Sequence, residues 1–357
     1  MAAPWYCTRE DVKRALDVKE TARSNAQVDR AIDSASRTVE GRLHRRFYPE
    51  TATRTFDWPN AQRARPWRLW LDQHELASVT TLMAGGVTVA SSDFLLYPTG
   101  GPPYNRLEID LDSSAAFASG DTHQQAISIA GVYAGCPLDE APAGALAEAL
   151  DASETSVDVT DAAAVGVGDI LRVGTERMIV TGRAMLDTGQ NIAADLTASN
   201  ASVTVTVTDG TAYAVDEVLL VGSERMLVVD VAGNDLTVRR AWDGSVLAAH
   251  TAGADVYAPR TLTVTRGALG TTAAAHDTAA AVVRHLVPGL VRDAVVALAL
   301  AQLLGEQGGY TAAGARSAAS GSVAGSRPQS RQVGGGAGDV LAMAFDAYGR
   351  KARTRAV

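Results

Sequence analysis

Two internal repeats limit most strongly what this 357-residue chain can fold into. Residues 168–180 match residues 216–228 at an offset of 48, and residues 237–256 match residues 263–282 at an offset of 26. Each repeat unit consists of a strand rich in Val, Ile or Leu, a turn with glycine, and a second strand. One hairpin pair buries too little apolar surface to be stable alone. The repeats therefore predict duplicated β-modules that pack on each other, forming an inserted β-rich domain over residues 155–284.

The residues ahead of the repeats predict helices followed by a small sheet. A capping box at Ser24 opens a long helix with an apolar residue at every third or fourth position, and Pro49 is expected to end it near Phe47. A shorter helix is predicted before it. Alternating segments between residues 51 and 130 predict short, mostly antiparallel strands. Residues 1–145 are expected to form one core, with residues 137–153 a linker or a short helix at its end.

Helices return after the repeats. Pro288 suits the first turn of a helix over residues 287–305, and Gly305 is expected to end it, so residues 285–305 are assigned to the core as its return helix. Residues 306–338 are Gly, Ala, Ser and Arg and predict a flexible basic linker. Residues 339–357 predict a C-terminal amphipathic helix with a basic tail. The whole pattern predicts an α+β protein.

Charge is distributed unevenly along the chain, whose formal net charge is −8. Residues 1–70 carry 14 Lys and Arg against 9 Asp and Glu, residues 310–357 carry 7 against 2, and residues 71–309 carry 11 against 29. Basic ends around an acidic body suggest that different surfaces meet different partners. The alternative is that acidic charge keeps an exposed β-rich body soluble. The net charge gives no prior for a nucleic-acid-binding protein.

The sequence offers no pattern for catalysis, a metal or a cofactor, so we expect a protein that is not an enzyme. No pair of its six histidines has metal-ligand spacing, and no nucleophile motif or phosphate-binding loop is present. Cys7 and Cys136 are expected to be free thiols. The apolar segment 286–304 is interrupted by Pro288 and charged residues, so no contact with a membrane is expected.

Several polar residues are expected to have structural roles. His250 and His276 occupy equivalent repeat positions, which favours a scaffold role over catalysis. The adjacent pairs Glu176/Arg177 and Glu224/Arg225 also recur through the duplication, which favours a salt bridge or a turn over ligand binding. Three arginines lie near the end of the long helix: Arg42, Arg45 and Arg46. They either contact phosphate or stabilise the negative end of the helix dipole, and the second role is preferred.

The C-terminal segment contains too few apolar residues to fold alone. Such a segment usually folds by docking on another surface, the alternative being a disordered end. The residues predicted to dock are Val340, Leu341, Ala344, Phe345, Tyr348, Arg350, Lys351, Arg353 and Arg355.

Three segments of the sequence resemble one known family. They are Tyr6-Cys7-Thr8-Arg9-Glu10-Asp11-Val12, the helical run from Ala31 to Glu40, and Arg45-Arg46-Phe47-Tyr48-Pro49. Together they resemble the head-to-tail adaptor (connector) proteins of tailed bacteriophages. The strand Ile127-Ser128-Ile129-Ala130-Gly131-Val132-Tyr133 and the return helix are similar to later elements of that family. The resemblance covers about residues 1–145 and 285–357, whereas the insertion at 155–284 departs from the minimal family pattern.

The resemblance implies a structural protein of the virion, made in the cytoplasm of the bacterial host. It implies a ring of twelve copies at the head-tail junction that contacts the portal protein on one side and the next neck or tail protein on the other. Double-stranded DNA would pass through the ring without sequence-specific binding, and the C-terminal residues given above would dock on the portal. The alternatives are another neck or tail component, such as a stopper or tail terminator, or a virion protein whose β-modules bind the host or a glycan.

Overall fold

The computed structural model describes residues 4–16, 24–59, 65–318 and 335–350. Four helices in these ranges are α1 (Arg9–Leu16), α2 (Asn25–Leu43), α3 (Gly289–Ala318) and α4 (Gly335–Tyr348). The strands are β1 (Glu50–Phe56), β2 (Arg68–Trp70), β3 (Leu76–Ala84), β4 (Val87–Val89), β5 (Phe94–Tyr97), β6 (Arg106–Ile109), β7 (Ile127–Tyr133), β8 (Glu140–Ala145), β9 (Ser156–Asp158), β10 (Ile170–Val173), β11 (Glu176–Asn191), β12 (Thr204–Thr206), β13 (Val218–Val221), β14 (Glu224–Ala232), β15 (Asp235–Arg239), β16 (Asp255–Thr265) and β17 (Ala281–His285). The predicted α+β layout is confirmed.

The strands form three sheets, and every strand pair within them is antiparallel. The first sheet has the order β1-β7-β3-β4, and the second has the order β2-β6-β5. These two sheets share one apolar core. The third sheet has ten strands in the order β12-β15-β14-β13-β16-β11-β10-β17-β8, with β9 paired to β16. The repeats therefore lie in one sheet, separate from the first two, that also includes β8.

The two β-modules are nested rather than arranged in tandem. The long strands β11 and β16 pair with each other and run through both modules. One apolar cluster lies at one end of this ribbon and includes Val157, Val180 and Val264; the other lies at the opposite end and includes Val205 and Val228. The second module is therefore inserted between the two halves of the first. This insertion explains why the first halves repeat at one offset and the second halves at another.

The four helices pack around a single apolar cluster, although α2 and α3 are far apart in sequence. Ser24 caps α2 through the predicted capping box, and its apolar stripe from Val28 to Leu43 is buried. The prediction that α2 runs to Phe47 is wrong by one turn. His44 adopts a left-handed conformation (φ 54°) and its backbone N–H donates to Glu40, which ends the helix at Leu43.

Helix α1 connects the helical core to the β-modules. The backbone N–H of Arg9 donates to Val167 O (3.1 Å), and Glu10 accepts from the N–H of Val167 (2.8 Å). Two salt bridges extend the contact to the second module, Lys13 to Asp243 at 2.9 Å and Arg14 to Asp216 at 2.8 Å. The modules are thus held to the helices at several points.

Strand β1 provides a second connection to the modules. The backbone N–H of Thr51 donates to Leu269 O (2.8 Å), and Arg177 donates to the Thr51 hydroxyl (2.7 Å). Gly270 lies so close that an added Cβ would be 1.9 Å from Thr51 O, so glycine is required there. The loop between β16 and β17 is therefore part of the contact with the core.

Two predictions between the main elements are wrong. Residues 137–153 contain strand β8 rather than a helix or a plain linker, and β8 pairs with β17 at the edge of the large sheet. Helix α3 continues through Gly305 to Ala318; a glycine inside a helix costs only about 1 kcal/mol, so Gly305 does not by itself end it. Residues 306–318 and 335–338 of the predicted linker 306–338 are therefore helical, and residues 319–334 lie outside the described residues. The predicted domain limits stay predictions.

Candidate functional site

The C-terminal helix α4 packs on the chain's own helical core. Its inward face is apolar: Ala344 is fully buried, while Val340, Leu341 and Phe345 pack partly buried against the core cluster. The helix lies against α3 and also contacts α2. The segment that sequence composition predicted to fold by docking is thus docked intramolecularly.

Aromatic residues from three parts of the chain form the surface under the end of α4. Tyr6 and Phe47 meet edge to face with ring centroids 5.6 Å apart, and Tyr48 stacks on Tyr6 at 6.2 Å. Tyr348 of α4 meets Phe47 edge to face at 6.1 Å. The Tyr6 hydroxyl donates to Glu40 (2.5 Å) and accepts from the N–H of Phe47 (3.1 Å), so the cluster is held in place by hydrogen bonds.

Polar contacts fix the last turn of α4. The guanidinium of Arg42 lies 5.1 Å from the centroid of the Phe345 ring, a cation–π contact. The backbone N–H of Arg350 donates to Leu43 O (3.0 Å), and its side chain lies 3.3 Å from Glu75. Because α2 ends at Leu43, Arg42 alone of the three predicted arginines lies in its last turn.

The structure brings together six of the nine predicted docking residues. Val340, Leu341, Ala344, Phe345 and Tyr348 form the inward face of α4, and Arg350 follows at its end. Lys351, Arg353 and Arg355 lie outside the described residues. The outward face of α4 is exposed and includes Met343, of which 50% is accessible. The apolar face predicted to meet a partner is thus covered by the chain itself in this conformation.

Two equivalent clusters of hydrogen-bonded polar residues lie in the β-modules, one in each module. In the second module Arg240 donates to both oxygens of Glu224 (2.7 and 2.8 Å), and His250 Nε2 lies 2.9 Å from the same carboxylate. The backbone N–H groups of Ala241 and Ala248 donate to it as well (2.9 and 3.1 Å). A carboxylate with five donors is a rigid structural group rather than an open binding site.

The first module repeats this arrangement residue for residue. Arg266 donates to both oxygens of Glu176 (2.7 and 2.9 Å), His276 Nε2 lies 2.9 Å away, and the N–H groups of Gly267 and Ala274 complete the set. The salt bridge expected at Glu176 is formed with Arg266, which lies 90 positions later in the chain. The sequence signal for this cluster is the repetition itself: the glutamate recurs at the offset of 48, and the arginine and histidine recur at the offset of 26.

Both clustered glutamates stay ionised in acid. Burial alone raises the pKa of Glu176, but the hydrogen bonds from Arg266, Gly267 and His276 outweigh it and lower the pKa to about 2. The pKa of Glu224 is likewise lowered to about 2, burial being outweighed by the bonds from Arg240 and His250. Each charge is therefore fully paired at neutral pH.

Comparison with family models, curated proteins and solved structures gives no match to this chain. No helix among the described ranges is both long and apolar enough to cross a membrane.

The histidines and cysteines of the described chain have identifiable structural contacts. Cys7 and Cys136 are free and buried, and burial raises the pKa of Cys136 to about 12. No group of three or more His, Cys, Asp or Glu within the described ranges is placed to hold a metal ion. Each described histidine has a structural contact. His44 caps α2, His74 contacts Arg54, and His123 stacks on Trp58. His250 contacts Glu224, His276 contacts Glu176, and His285 contacts Phe47 O.

Proposed function

We propose that this chain is a structural adaptor at the head-to-tail junction of a tailed bacteriophage. One observation carries the proposal: two of the three sequence segments that resemble adaptor proteins, around Tyr6 and around Phe47, meet in a single aromatic cluster. Tyr348, at the end of the C-terminal helix, packs on Phe47 of that cluster. The residues that carry the resemblance thus contribute to the surface under the element expected to bind a partner.

In this proposal α4 is an exchangeable docking element. Residues 319–334 connect it to α3, and its contact with the core uses one compact apolar face. On the portal, α4 leaves its intramolecular position and offers the same face, with Val340, Leu341 and Phe345 entering an apolar groove. The basic residues from Arg350 onward follow it. The cost of vacating the intramolecular position means that only a well-matched groove captures the helix.

The rest of the assembly follows from ring geometry. Twelve copies form a closed ring through a heterologous interface, which requires two different complementary surfaces on each copy. The basic ends and the acidic middle of the chain supply opposite charges for these surfaces. The ring joins the portal to the next neck or tail protein, and double-stranded DNA passes through it without sequence-specific contacts.

Truncation tests the docking role. A chain lacking residues 338–357 is expected to remain folded, as checked by circular dichroism, and to lose attachment to capsids that carry a portal. A full-length Met343→Asp variant is the control, because Met343 is on the exposed face of α4. It is expected to attach normally. Normal attachment of the truncated chain, or loss with Met343→Asp alone, contradicts docking through the apolar face.

A further inference from the structure

A second feature of the molecule is a cleft beside the end of α2. Its volume is about 490 Å³, and it lies between the end of α2, strand β1, the loop before β3 and the end of β7. Three glutamates line it, but positive groups outnumber them. The charged and titratable lining residues are Arg37, Arg45, Arg46, Arg54, His44, His74, Glu40, Glu50 and Glu75.

The arginines of this cleft have donors to spare. Each guanidinium carries five N–H groups. The Nε atoms of Arg45 and Arg54 are buried, and neither has a hydrogen-bond acceptor within the described residues. The Arg46 side chain is 61% exposed, and its guanidinium lies 3.7 Å from the Glu50 carboxylate, longer than a hydrogen bond. The Nε–H groups of Arg45 and Arg54 are closed to solvent, so an acceptor from outside the chain reaches them only when these side chains turn toward the cleft; Glu75 Oε2, in the same lining, also lacks a hydrogen-bond partner among the described residues. Buried donors are normally satisfied, so pairing with such an acceptor would be favourable.

His74 lies in the positive field of the cleft. Burial, and then the cations Arg54, Arg350 and Arg46, lower its pKa. Arg54 donates to Nδ1 of His74 (3.0 Å), because a guanidinium has no acceptor atom. Neutral His74 therefore carries its proton on Nε2, where it is a further donor.

We propose that this cleft binds a multivalent oxyanion, a small ligand that carries phosphate or carboxylate groups. Planar guanidinium groups suit both kinds of oxyanion, since each offers two parallel N–H donors. The resident glutamates already pair with Arg45 and Arg54. An incoming ligand must therefore supply at least two negative charges to compete, which disfavours chloride. Arg46 provides the accessible contact, and Arg45 and Arg54 provide the deeper donors.

Titration calorimetry on the full-length protein tests the proposal with pyrophosphate and with citrate, at constant ionic strength in sodium chloride. Saturable binding of at least one anion is expected, and the anion that binds distinguishes a phosphate site from a carboxylate site. Arg46→Gln is expected to weaken binding roughly tenfold, as for loss of one charged hydrogen bond. Glu50→Gln is expected to tighten it about threefold, because a competing carboxylate is removed.

The matched control is Arg30→Gln. Arg30 is on the same helix, is 63% exposed and pairs with Glu306, away from the cleft. The affinity of Arg30→Gln for the anion is expected to stay within about twofold of wild type, because an exposed charge away from the cleft contributes little. The proposal is overturned if neither pyrophosphate nor citrate binds saturably at concentrations up to about 10 mM. It is also overturned if Arg30→Gln loses as much affinity as Arg46→Gln. Circular dichroism confirms that each variant is folded.

Discussion

Glu224 shows how much a single buried residue organises in this protein. It is fully buried, and its five donors come from two segments that follow β15. The equivalent Glu176 has the same donors at the same relative positions. Each glutamate therefore fixes the loops that close its β-module, which is a structural role that accounts for the recurrence of both glutamates, arginines and histidines.

Replacing Glu224 is expected to destabilise the second module. Glu224→Gln leaves the buried Arg240 without its counterion, because the Arg240 side chain is only 1% exposed. Loss of one partner from a buried ion pair costs about 3–5 kcal/mol, to be measured by urea unfolding. Glu148→Gln, at an exposed position, is the control and should change the unfolding free energy by less than about 0.5 kcal/mol. Equal stability of Glu224→Gln and wild type would contradict the role of the cluster.

The same clusters predict a loss of stability in acid. A glutamate with a folded pKa of about 2, below its ordinary value of 4.5, stabilises the fold fully above pH 4.5. That contribution is lost as the pH falls from 4.5 to about 2. Asp169, whose pKa burial raises to about 7, acts in the opposite direction between its ordinary 3.8 and 7.

The measurement is the unfolding free energy from pH 2 to 7 for wild type and for the variant Glu176→Gln/Glu224→Gln. Because Asp169 is present in both, the difference between the two curves isolates the glutamates. That difference is expected to shrink below pH 4.5. A difference that is constant across this range would contradict the lowered pKa values.

At the scale of elements, the sequence predicts best where the pattern is local. The capping box and apolar stripe of α2 are both present. Strand β8 was missed because its sequence, with Pro142 and four small residues, has no alternating pattern. It is a strand through its pairing with β17, and proline is tolerated at the edge of a sheet.

Long-range partners were beyond the reach of local patterns. The nesting of the modules depends on β11 and β16 pairing across the inserted module. The partner of Glu176 is Arg266, which no local pattern around Glu176 identifies. For the candidate site, the sequence supplied the apolar face of α4 but not the surface that it covers, since that surface is assembled from the chain around Tyr6, Phe47 and α3.

A matched pair of substitutions tests how α4 is docked. Ala344 is fully buried on the inward face, whereas Ala347 is exposed on the same helix. Ala344→Asp places an unpaired charge in the core cluster and is expected to release α4, because burying an unpaired charge is costly. Hydrogen exchange of residues 340–348 should then speed up by at least about tenfold. Ala347→Asp should exchange like wild type, and equal protection in both variants would contradict the docked position.

At the scale of the whole molecule, the proposed ring depends on charge. Basic ends and an acidic middle predict contacts between copies that weaken with salt. The screening length falls from about 10 Å at 0.1 M to about 3 Å at 1 M ionic strength. Crosslinking of the chain bound to portal-bearing capsids should therefore yield fewer multimers at 1 M than at 0.1 M salt. Equal yields would indicate an interface that does not rely on charge.

The position of the chain in the virion tests the central claim most directly. Immunogold electron microscopy uses an antibody raised against the β-modules of this chain, applied to tailed particles from a lysate of cells that express it. The adaptor proposal predicts gold at the junction of head and tail. Gold at the tail tip would contradict it. So would the absence of label both on intact particles and on necks dissociated from them.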